Sequence, residues 1–138
     1  MNNIDLLLIN VKFPENVGMI YRLAIQFNVR HIYRYNCSVP GKTNTYKTEK
    51  HIPITDVLSL DFLKNYPHPK YLLETGGQIL KKKPDNVSHY LLAVGNESYG
   101  VADEDKVYFD EIYTLQAPRL ISYNVSAALA IGLYYFTY

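Results

Sequence analysis

The chain has 138 residues and a net charge of +1, and its composition is 48% hydrophobic and 20% charged. These values are typical of one folded domain and exclude an intrinsically disordered chain. The single cysteine, Cys37, excludes an internal disulfide and favours a reducing compartment, so we expect a cytoplasmic location. No basic segment precedes the first apolar run, and the last apolar run is shorter than the about 20 residues of a bilayer span, so we expect no signal peptide and no membrane anchor.

The charges are distributed unevenly along the chain. Lys and Arg outnumber Asp and Glu in residues 1–50, whereas acidic residues dominate residues 84–118. A basic surface formed by the first segment could bind a polyanion, although the total charge is close to zero. Solvation of opposite faces of the molecule explains the same pattern equally well.

The first half of the chain predicts a strand, a helix and a second strand. Residues 4–9 form an apolar run of strand length, and residues 31–35 have the pattern of another strand. A surface loop is expected in residues 40–51, and a short helix in residues 55–63. Between the first two strands, apolar side chains recur at helical spacing: Val17, Ile20, Leu23, Ala24 and Phe27.

The second half predicts three more strands and a long final helix. Residues 71–75 and 90–94 have the apolar sequences of fully buried strands, and glycines follow both. An acidic turn or short helix is expected in residues 102–107 and a strand in residues 111–116. The chain then ends in an apolar helix. Strands that alternate with helices predict an α/β fold with a mainly parallel sheet flanked by helices.

In such a sheet, ligands bind beyond the carboxyl ends of the strands. Neither usual nucleotide loop, G-x-G-x-x-G or G-x-x-x-x-G-K, occurs in the sequence. The histidines and Cys37 have no metal-ligand spacing, so we expect no metal site. Paired-carboxylate chemistry would have to use Glu97 with Glu74 or Asp103. Four segments should converge at the carboxyl edge: residues 14–22, 75–77, 95–100 and 116–126.

Three of these segments resemble the motifs of a known enzyme family. Residues 14–22, PENVGMIYR, have the P-x-N-x-G-x-x-x-R form of the first motif of the SpoU or TrmH group of SPOUT RNA methyltransferases. Residues 94–101, VGNESYGV, resemble the second motif, and residues 122–128, SYNVSAA, resemble the third. The three motifs have the family's order and separation over nearly the whole chain.

The resemblance implies a single SPOUT domain over residues 1–138 that binds S-adenosylmethionine. In this family the third-motif segment passes through a loop, so a deep trefoil knot and the cofactor site are implied in roughly residues 71–138. A homodimer is implied too, with the first and last helices at its interface. Residues 127–138 suit that role, because a lone surface helix needs a polar stripe that they lack.

The family's functional residues fall on matching positions of this chain. Arg22 matches the catalytic arginine, Asn16 is implied to help place it, and Ser122 and Asn124 line the same pocket. Ser126 is then expected mainly to cap the last helix. Cofactor contacts, largely through backbone atoms, are implied for Leu73, Thr75, Gly77, Gly95, Glu97, Gly100, Leu115 and Ser122.

Basic residues are the candidates for contacts with RNA phosphates. Tyr33, Tyr35 and Tyr46 lie among them and could stack on unpaired bases. The candidate phosphate contacts are Arg22, Arg30, Arg34, Lys42, Lys47 and Lys50.

The activity that the resemblance implies is S-adenosylmethionine-dependent 2′-O-methylation of RNA. The chain is similar in length to the smallest, TrmL-like members, which act on the wobble nucleotide of tRNA, so tRNA is the favoured substrate. Methylation of rRNA is one alternative. A knotted protein that binds RNA or cofactor with weak turnover is another.

Overall fold

Parallel strands alternate with helices along the chain. The computed structural model describes residues 3–42, 44, 46–119 and 122–138, and these ranges contain six strands and three α-helices. The strands are β1 (Asn3–Ile9), β2 (His31–Tyr35), β3 (Ile54–Val57), β4 (Lys70–Ile79), β5 (His89–Val94) and β6 (Glu111–Thr114). The helices are α1 (Pro14–Gln26), α2 (Asp103–Lys106) and α3 (Val125–Thr137), and two 3-10 turns cover Thr48–Lys50 and Asp61–Asn65.

The strands of the described residues form one sheet in the order β3-β2-β1-β5-β4-β6. All five neighbouring pairs are parallel, which confirms the predicted α/β fold with a parallel sheet flanked by helices. β1 lies inside the sheet, and its Leu6 is in register with Ile32 of β2 and with Leu92 of β5. β2 and β3 lie on one side of β1, whereas β5, β4 and β6 lie on the other side. At such a switch point the connections leave in opposite directions, and a crevice opens at the carboxyl ends of β1 and β5.

The central strands are covered on both faces, as their continuous apolar sequences predict. On one face, Leu6 of β1 packs in the cluster that contains Ile20 of α1 and Leu129 of α3. On the other face, Leu7 packs in the cluster that contains Leu63 of the second 3-10 turn. Successive side chains of a strand point to opposite faces, so β1 contributes to both clusters and is held firmly in place.

The helix expected in residues 55–63 is wrong. Residues Ile54–Val57 form the edge strand β3, which pairs with β2, and the helical turn that follows covers Asp61–Asn65. Three of the four strand residues, Ile54, Thr55 and Val57, are β-branched, and the backbone of β2 offers them hydrogen-bond partners. A helix of this length would be only marginally stable, so the few apolar residues at helical spacing do not outweigh the pairing of β3 with β2.

β4 changes its register with β6 at residues 74–77. Leu73 pairs with Tyr113, and after the interruption Gln78 pairs with the same Tyr113. Gly76 has a φ of 82°, a conformation that glycine adopts without a steric penalty. The strand predicted for residues 71–75 is therefore longer, and its glycines lie within an irregular part of β4. This irregular part is one of the segments predicted to bind the ligand.

α3 packs against the sheet through one side and exposes tyrosines on the other. Leu129, Leu133 and Phe136 are fully buried, whereas Tyr134 and Tyr138 are exposed. Within the described residues, no helix combines the length and apolar character needed to span a membrane. The trefoil knot stays a prediction, and Leu120 and Ile121, the two residues just before the third motif, lie outside the described residues.

Candidate active site

The three motif segments meet at the carboxyl edge of the sheet. The first motif forms the start of α1, directly after β1, and the second follows β5, the neighbour of β1. The side-chain amide of Asn96 donates to the carbonyl of Asn10, at a distance of 2.8 Å, and thereby ties the loop after β5 to the loop after β1. The third motif forms the start of α3, which packs against α1.

Glu97 of the second motif holds the beginning of α1. Its Oε1 accepts from the backbone N–H of Lys12 at 3.0 Å, and its Oε2 accepts from that of Phe13 at 2.7 Å. α1 begins at Pro14, and the residue before it, Phe13, has no side-chain oxygen to act as a cap. In a capping box, a glutamate in the first turn of the helix accepts from the N–H group of the N-cap residue. Here Glu97, which lies on a distant loop, accepts from that N–H group instead.

These bonds affect the ionisation of Glu97. Partial burial by itself would raise the pKa of the carboxyl group, but the N–H donors of Lys12 and Phe13 and the amide of Asn16 stabilise the charged form. The net effect is a pKa below the ordinary value of 4.5. Glu97 is thus a carboxylate at neutral pH, and it also lies at the positive end of the α1 dipole.

Asn16 connects Glu97 to the third motif. Its Nδ2 donates to Glu97 Oε2 at 3.1 Å, and its Oδ1 accepts from Nδ2 of Asn124 at 3.2 Å. Asn16 is 8% exposed, so both of its bonds are shielded from competing water. Arg22 lies six residues further along α1, so its placement by Asn16 stays a prediction.

Asn124 is the N-cap of α3. Its Oδ1 accepts from the backbone N–H groups of Ser126, at 2.9 Å, and Ala127, at 3.3 Å. The expectation that Ser126 is the cap is therefore wrong, because Ser126 lies inside the first turn and its hydroxyl donates to Asn124. Ser122, two residues before the cap, is exposed to solvent.

Arg22 is exposed on α1, and its guanidinium lies over the ring of Tyr46, 5.3 Å from the ring centroid. Tyr46 belongs to the predicted loop after β2. That loop is attached to α1 by the backbone N–H of Gly41, which donates to the carbonyl of Pro14 at 3.0 Å. The arrangement places a cation and an aromatic ring side by side, a geometry in which the ring face attracts the guanidinium.

The glycines of the second motif allow a tight loop. A Cβ on Gly95 would come within 2.6 Å of the Val101 side chain, and one on Gly100 would overlap the carboxylate of Glu74. Gly100 has a φ of 69°, so it meets two conditions that favour glycine. The loop is closed by paired backbone hydrogen bonds between Asn96 and Gly100, each 3.1 Å long.

The other predicted cofactor residues lie on β4 and just after β6. Leu73 is buried, and it contacts α3 at Gly132, where a Cβ would meet its side chain. Thr75 is exposed, and Gly77 approaches the backbone of β6 so closely that a Cβ could not be accommodated. Leu115 packs against the core. The structure thus brings the ends of β4, β5 and β6 to the same edge.

The candidate RNA contacts divide into two groups. Lys42, Lys47 and Lys50 are exposed on the loop that carries Tyr46, and the Tyr46 ring contacts Arg22. Arg30 lies at the opposite, amino edge of the sheet, where it forms an ion pair with Asp5 at 2.9 Å. The structure therefore separates Arg30 from the other candidates.

The expected phosphate contact of Arg34 is contradicted by the structure. Arg34 is 6% exposed, and its guanidinium donates to Asp56, to the hydroxyl of Tyr21 and to the carbonyl of Cys37. Its place in β2 directs it under α1, where these three acceptors replace water. Arg34 is a structural residue that joins β2, β3 and α1.

Across the described ranges, no cluster of three or more His, Cys, Asp or Glu side chains is arranged to hold a metal ion. Sequence reasoning gave Glu97 a role at the cofactor and did not foresee that it holds α1. The missing cap before Pro14 was a usable signal, since those backbone N–H groups needed an acceptor from elsewhere.

The chain belongs to the SpoU rRNA Methylase family, whose sequence profile matches residues 3–134. No curated protein sequence matches the chain significantly.

Solved structures of related proteins have the same fold. A putative RNA methyltransferase of the TrmH family from Porphyromonas gingivalis is 27% identical, with a TM-score of 0.86 over 98% of this chain and 59% of that chain. The SpoU methyltransferase AviRb from Streptomyces viridochromogenes in complex with AdoMet is 19% identical, with a TM-score of 0.81 over 99% of this chain and 57% of that chain. A protein studied for the 2-OH methylation of C/U34 on tRNA is 17% identical, with a TM-score of 0.83 over 99% of this chain and 89% of that chain.

This chain spans between 55% and 59% of the length of four such SpoU, TrmH or rRNA methyltransferase structures. The matches cover 97–99% of this chain. The sequence-based recognition of the family and its fold is confirmed.

Proposed function

We propose that this protein transfers a methyl group from S-adenosylmethionine to a ribose 2′-hydroxyl of RNA, with tRNA as the favoured substrate. The observation that carries the proposal is the hydrogen-bonded chain Glu97–Asn16–Asn124, which joins the three family motifs at one edge of the sheet. Membership of the SpoU rRNA Methylase family supports methyl transfer to RNA. The neighbour studied for methylation of C/U34 on tRNA supports tRNA, and rRNA is the alternative.

The carboxyl edge suits S-adenosylmethionine. The adenine, ribose and amino-acid parts of this molecule offer many hydrogen-bonding atoms, for which exposed backbone groups are good partners. Gly76 leaves open space where a Cβ would stand, and Thr75 beside it is exposed, so the backbone of β4 is accessible there. We assign the cofactor to the backbone of residues 73–77 and 95–100 and of Leu115 and Ser122. When bound, it supplies a methyl group on a positively charged sulfur.

Arg22 is the residue that we place at the ribose. The attacking 2′-hydroxyl has to lose a proton, and a guanidinium group is so weak an acid that it stays protonated in proteins. Arg22 therefore suits a role in which it binds an RNA phosphate in a bidentate manner and stabilises the developing alkoxide. Direct proton abstraction by Arg22 is the alternative, and a pH–rate profile of the wild type and Arg22→Lys separates the two.

The loop after β2 is the proposed RNA surface. Lys42, Lys47 and Lys50 are exposed on this loop, whose Tyr46 contacts Arg22, and such residues release counterions when they bind phosphates. Tyr46 exposes 55% of its surface on the same loop and could stack on an unpaired base. We expect RNA affinity to fall steeply as salt concentration rises, and the triple change of these lysines to Ala to flatten that dependence.

A homodimer is the proposed assembly, with α3 at the interface. Its exposed tyrosines, Tyr134, Tyr135 and Tyr138, form an aromatic surface on the side turned away from the sheet. Tyr134→Arg should shift the protein towards monomer in analytical ultracentrifugation. Leu58→Arg, which changes a fully exposed apolar residue elsewhere, is the control that should not. A wild-type monomer at micromolar concentration would contradict the proposal.

The direct test of the activity uses labelled S-adenosylmethionine with total tRNA or rRNA, followed by mapping of the methylated ribose. We expect label in tRNA, a severe loss with Arg22→Lys, and normal transfer with Arg30→Lys, the same change at the opposite edge of the sheet. Cofactor binding without transfer to either RNA pool would favour a catalytically weak binding protein.

A further inference from the structure

Glu74, at the point where β4 becomes irregular, connects two segments of the proposed cofactor site. Its Oε2 accepts from the backbone N–H of Val101 at 2.8 Å, and its Oε1 accepts from the N–H of Thr75 at 2.9 Å. Val101 is 4% exposed and directly follows the second-motif loop. A carboxylate of β4 thus satisfies a backbone donor that is buried at the end of the loop after β5.

The second-motif loop is shaped to receive this carboxylate. Gly100 lies beneath it, and any Cβ at that position would overlap the Glu74 oxygens. Val101, whose N–H group donates to Glu74, is the next residue in the chain. The paired backbone hydrogen bonds between Asn96 and Gly100 fix the loop in the conformation that directs this N–H group towards the carboxylate. The fit is therefore reciprocal, since the loop leaves space for the carboxylate and the carboxylate pairs the N–H group of the loop.

The backbone of Glu74 is fixed by β6. The hydroxyl of Thr114 donates to the Glu74 carbonyl at 2.6 Å and accepts from the N–H of Gly77, also at 2.6 Å. The two bonds join Thr114 to both ends of residues 74–77, the part of β4 that does not pair regularly with β6. This irregular segment therefore has a defined shape. The Glu74 side chain consequently extends from a rigid base, which is what a positioning group requires.

We propose that Glu74 is a positioning residue of the cofactor pocket, which holds residues 74–77 and 95–101 in a fixed relative position. The inference rests on the proposed function, because these two segments are assigned to S-adenosylmethionine. Without the carboxylate, both segments have to be ordered when the cofactor binds, and the entropy of ordering reduces the affinity. A hydrogen bond to a charged acceptor is also among the stronger ones, so its loss should be measurable.

The first experiment measures the dissociation constant of S-adenosylmethionine by calorimetry for the wild type, Glu74→Ala and Glu74→Gln. We expect Glu74→Ala to weaken binding about tenfold, the factor that corresponds to one such bond. Glu74→Gln keeps an oxygen that can accept from Val101, so it should retain most of the affinity. Glu111→Ala, which removes an exposed glutamate at the amino end of β6, is the control that should bind normally.

The second experiment follows exchange of the Val101 amide proton by NMR in protein without ligand. We expect faster exchange in Glu74→Ala than in the wild type and Glu74→Gln, because the N–H group loses its acceptor. Wild-type affinity in Glu74→Ala, or an equal loss in Glu74→Gln, would overturn the inference. If the wild type itself does not bind S-adenosylmethionine, the proposed function fails, whereas the exchange rates still decide whether Glu74 joins the two segments.

Discussion

Asn16 and Asn124 are 108 residues apart in the sequence, and a hydrogen bond of 3.2 Å joins their side-chain amides. Each side chain also stabilises the beginning of one helix. Asn124 caps α3, and Asn16 binds the Glu97 carboxylate that holds the beginning of α1. The starts of the two helices are therefore coupled. Displacement of either should affect the other motif and the site between them.

Asn124→Ala should destabilise the protein more than Ser126→Ala. The first change removes the acceptor of the Ser126 and Ala127 N–H groups and the bond to Asn16, so we expect a loss of about 1–2 kcal/mol in the free energy of unfolding. The Ser126 hydroxyl bonds to Asn124 without contributing the cap, so its removal should cost less than about 0.5 kcal/mol. Urea unfolding measures both, and equal losses would contradict the assignment of the cap.

Glu97→Gln should lower stability at neutral pH by about 1–2 kcal/mol, because it weakens two hydrogen bonds from backbone N–H groups to a carboxylate. The pKa of Glu97 is lower in the folded state than its ordinary value of 4.5, so its stabilising contribution is present above that pH and is lost as the pH falls through the folded pKa. The difference between wild type and variant in urea unfolding should therefore shrink in acid. A difference that stays constant from pH 7 to about pH 3 would refute this reading.

Asp5→Asn should destabilise the amino edge of the sheet. Oδ2 of the buried Asp5 carboxylate accepts from Arg30, Tyr66 and His89, and an asparagine would replace it with an uncharged oxygen, which is a weaker acceptor for these donors. We expect a loss of about 2 kcal/mol in the free energy of unfolding. Asp61→Asn, which changes an exposed carboxylate, should leave the free energy of unfolding close to that of the wild type. Methyl transfer by the folded Asp5 variant should be unchanged, since this cluster lies at the edge opposite to the proposed site.

Tyr46→Ala should reduce methyl transfer, and Tyr46→Phe should preserve most of it. The ring face, which Phe keeps, attracts the Arg22 guanidinium and is worth about 0.5–1 kcal/mol at an exposed site, or roughly a two- to fivefold change in kcat/KM. Steady-state kinetics with the methylated RNA measure the change. If Tyr46→Phe is as impaired as Tyr46→Ala, the hydroxyl and not the ring face acts on Arg22 or on the RNA.

The sequence by itself determined the parallel sheet, the helix after β1 and the family. The continuous apolar runs of β1 and β5 and the helical spacing in α1 are local patterns, and they are strong because both faces of a central strand have to be buried. The motif residues Asn16, Glu97 and Asn124 were also recognisable, since each belongs to a short segment of characteristic spacing. The edge strand β3 was not, because the decisive pairing is supplied by β2.

The tertiary structure decided which partner each polar side chain has. Tyr21, Asp56 and Cys37 bind Arg34 and keep it from solvent, and Glu97, a predicted cofactor residue, also holds the start of α1. Glu74 gained its role from Val101, 27 residues later in the chain. Such pairs are fixed by the packing of separate elements, and hydrophobic periodicity, which describes one element at a time, contains no information about them.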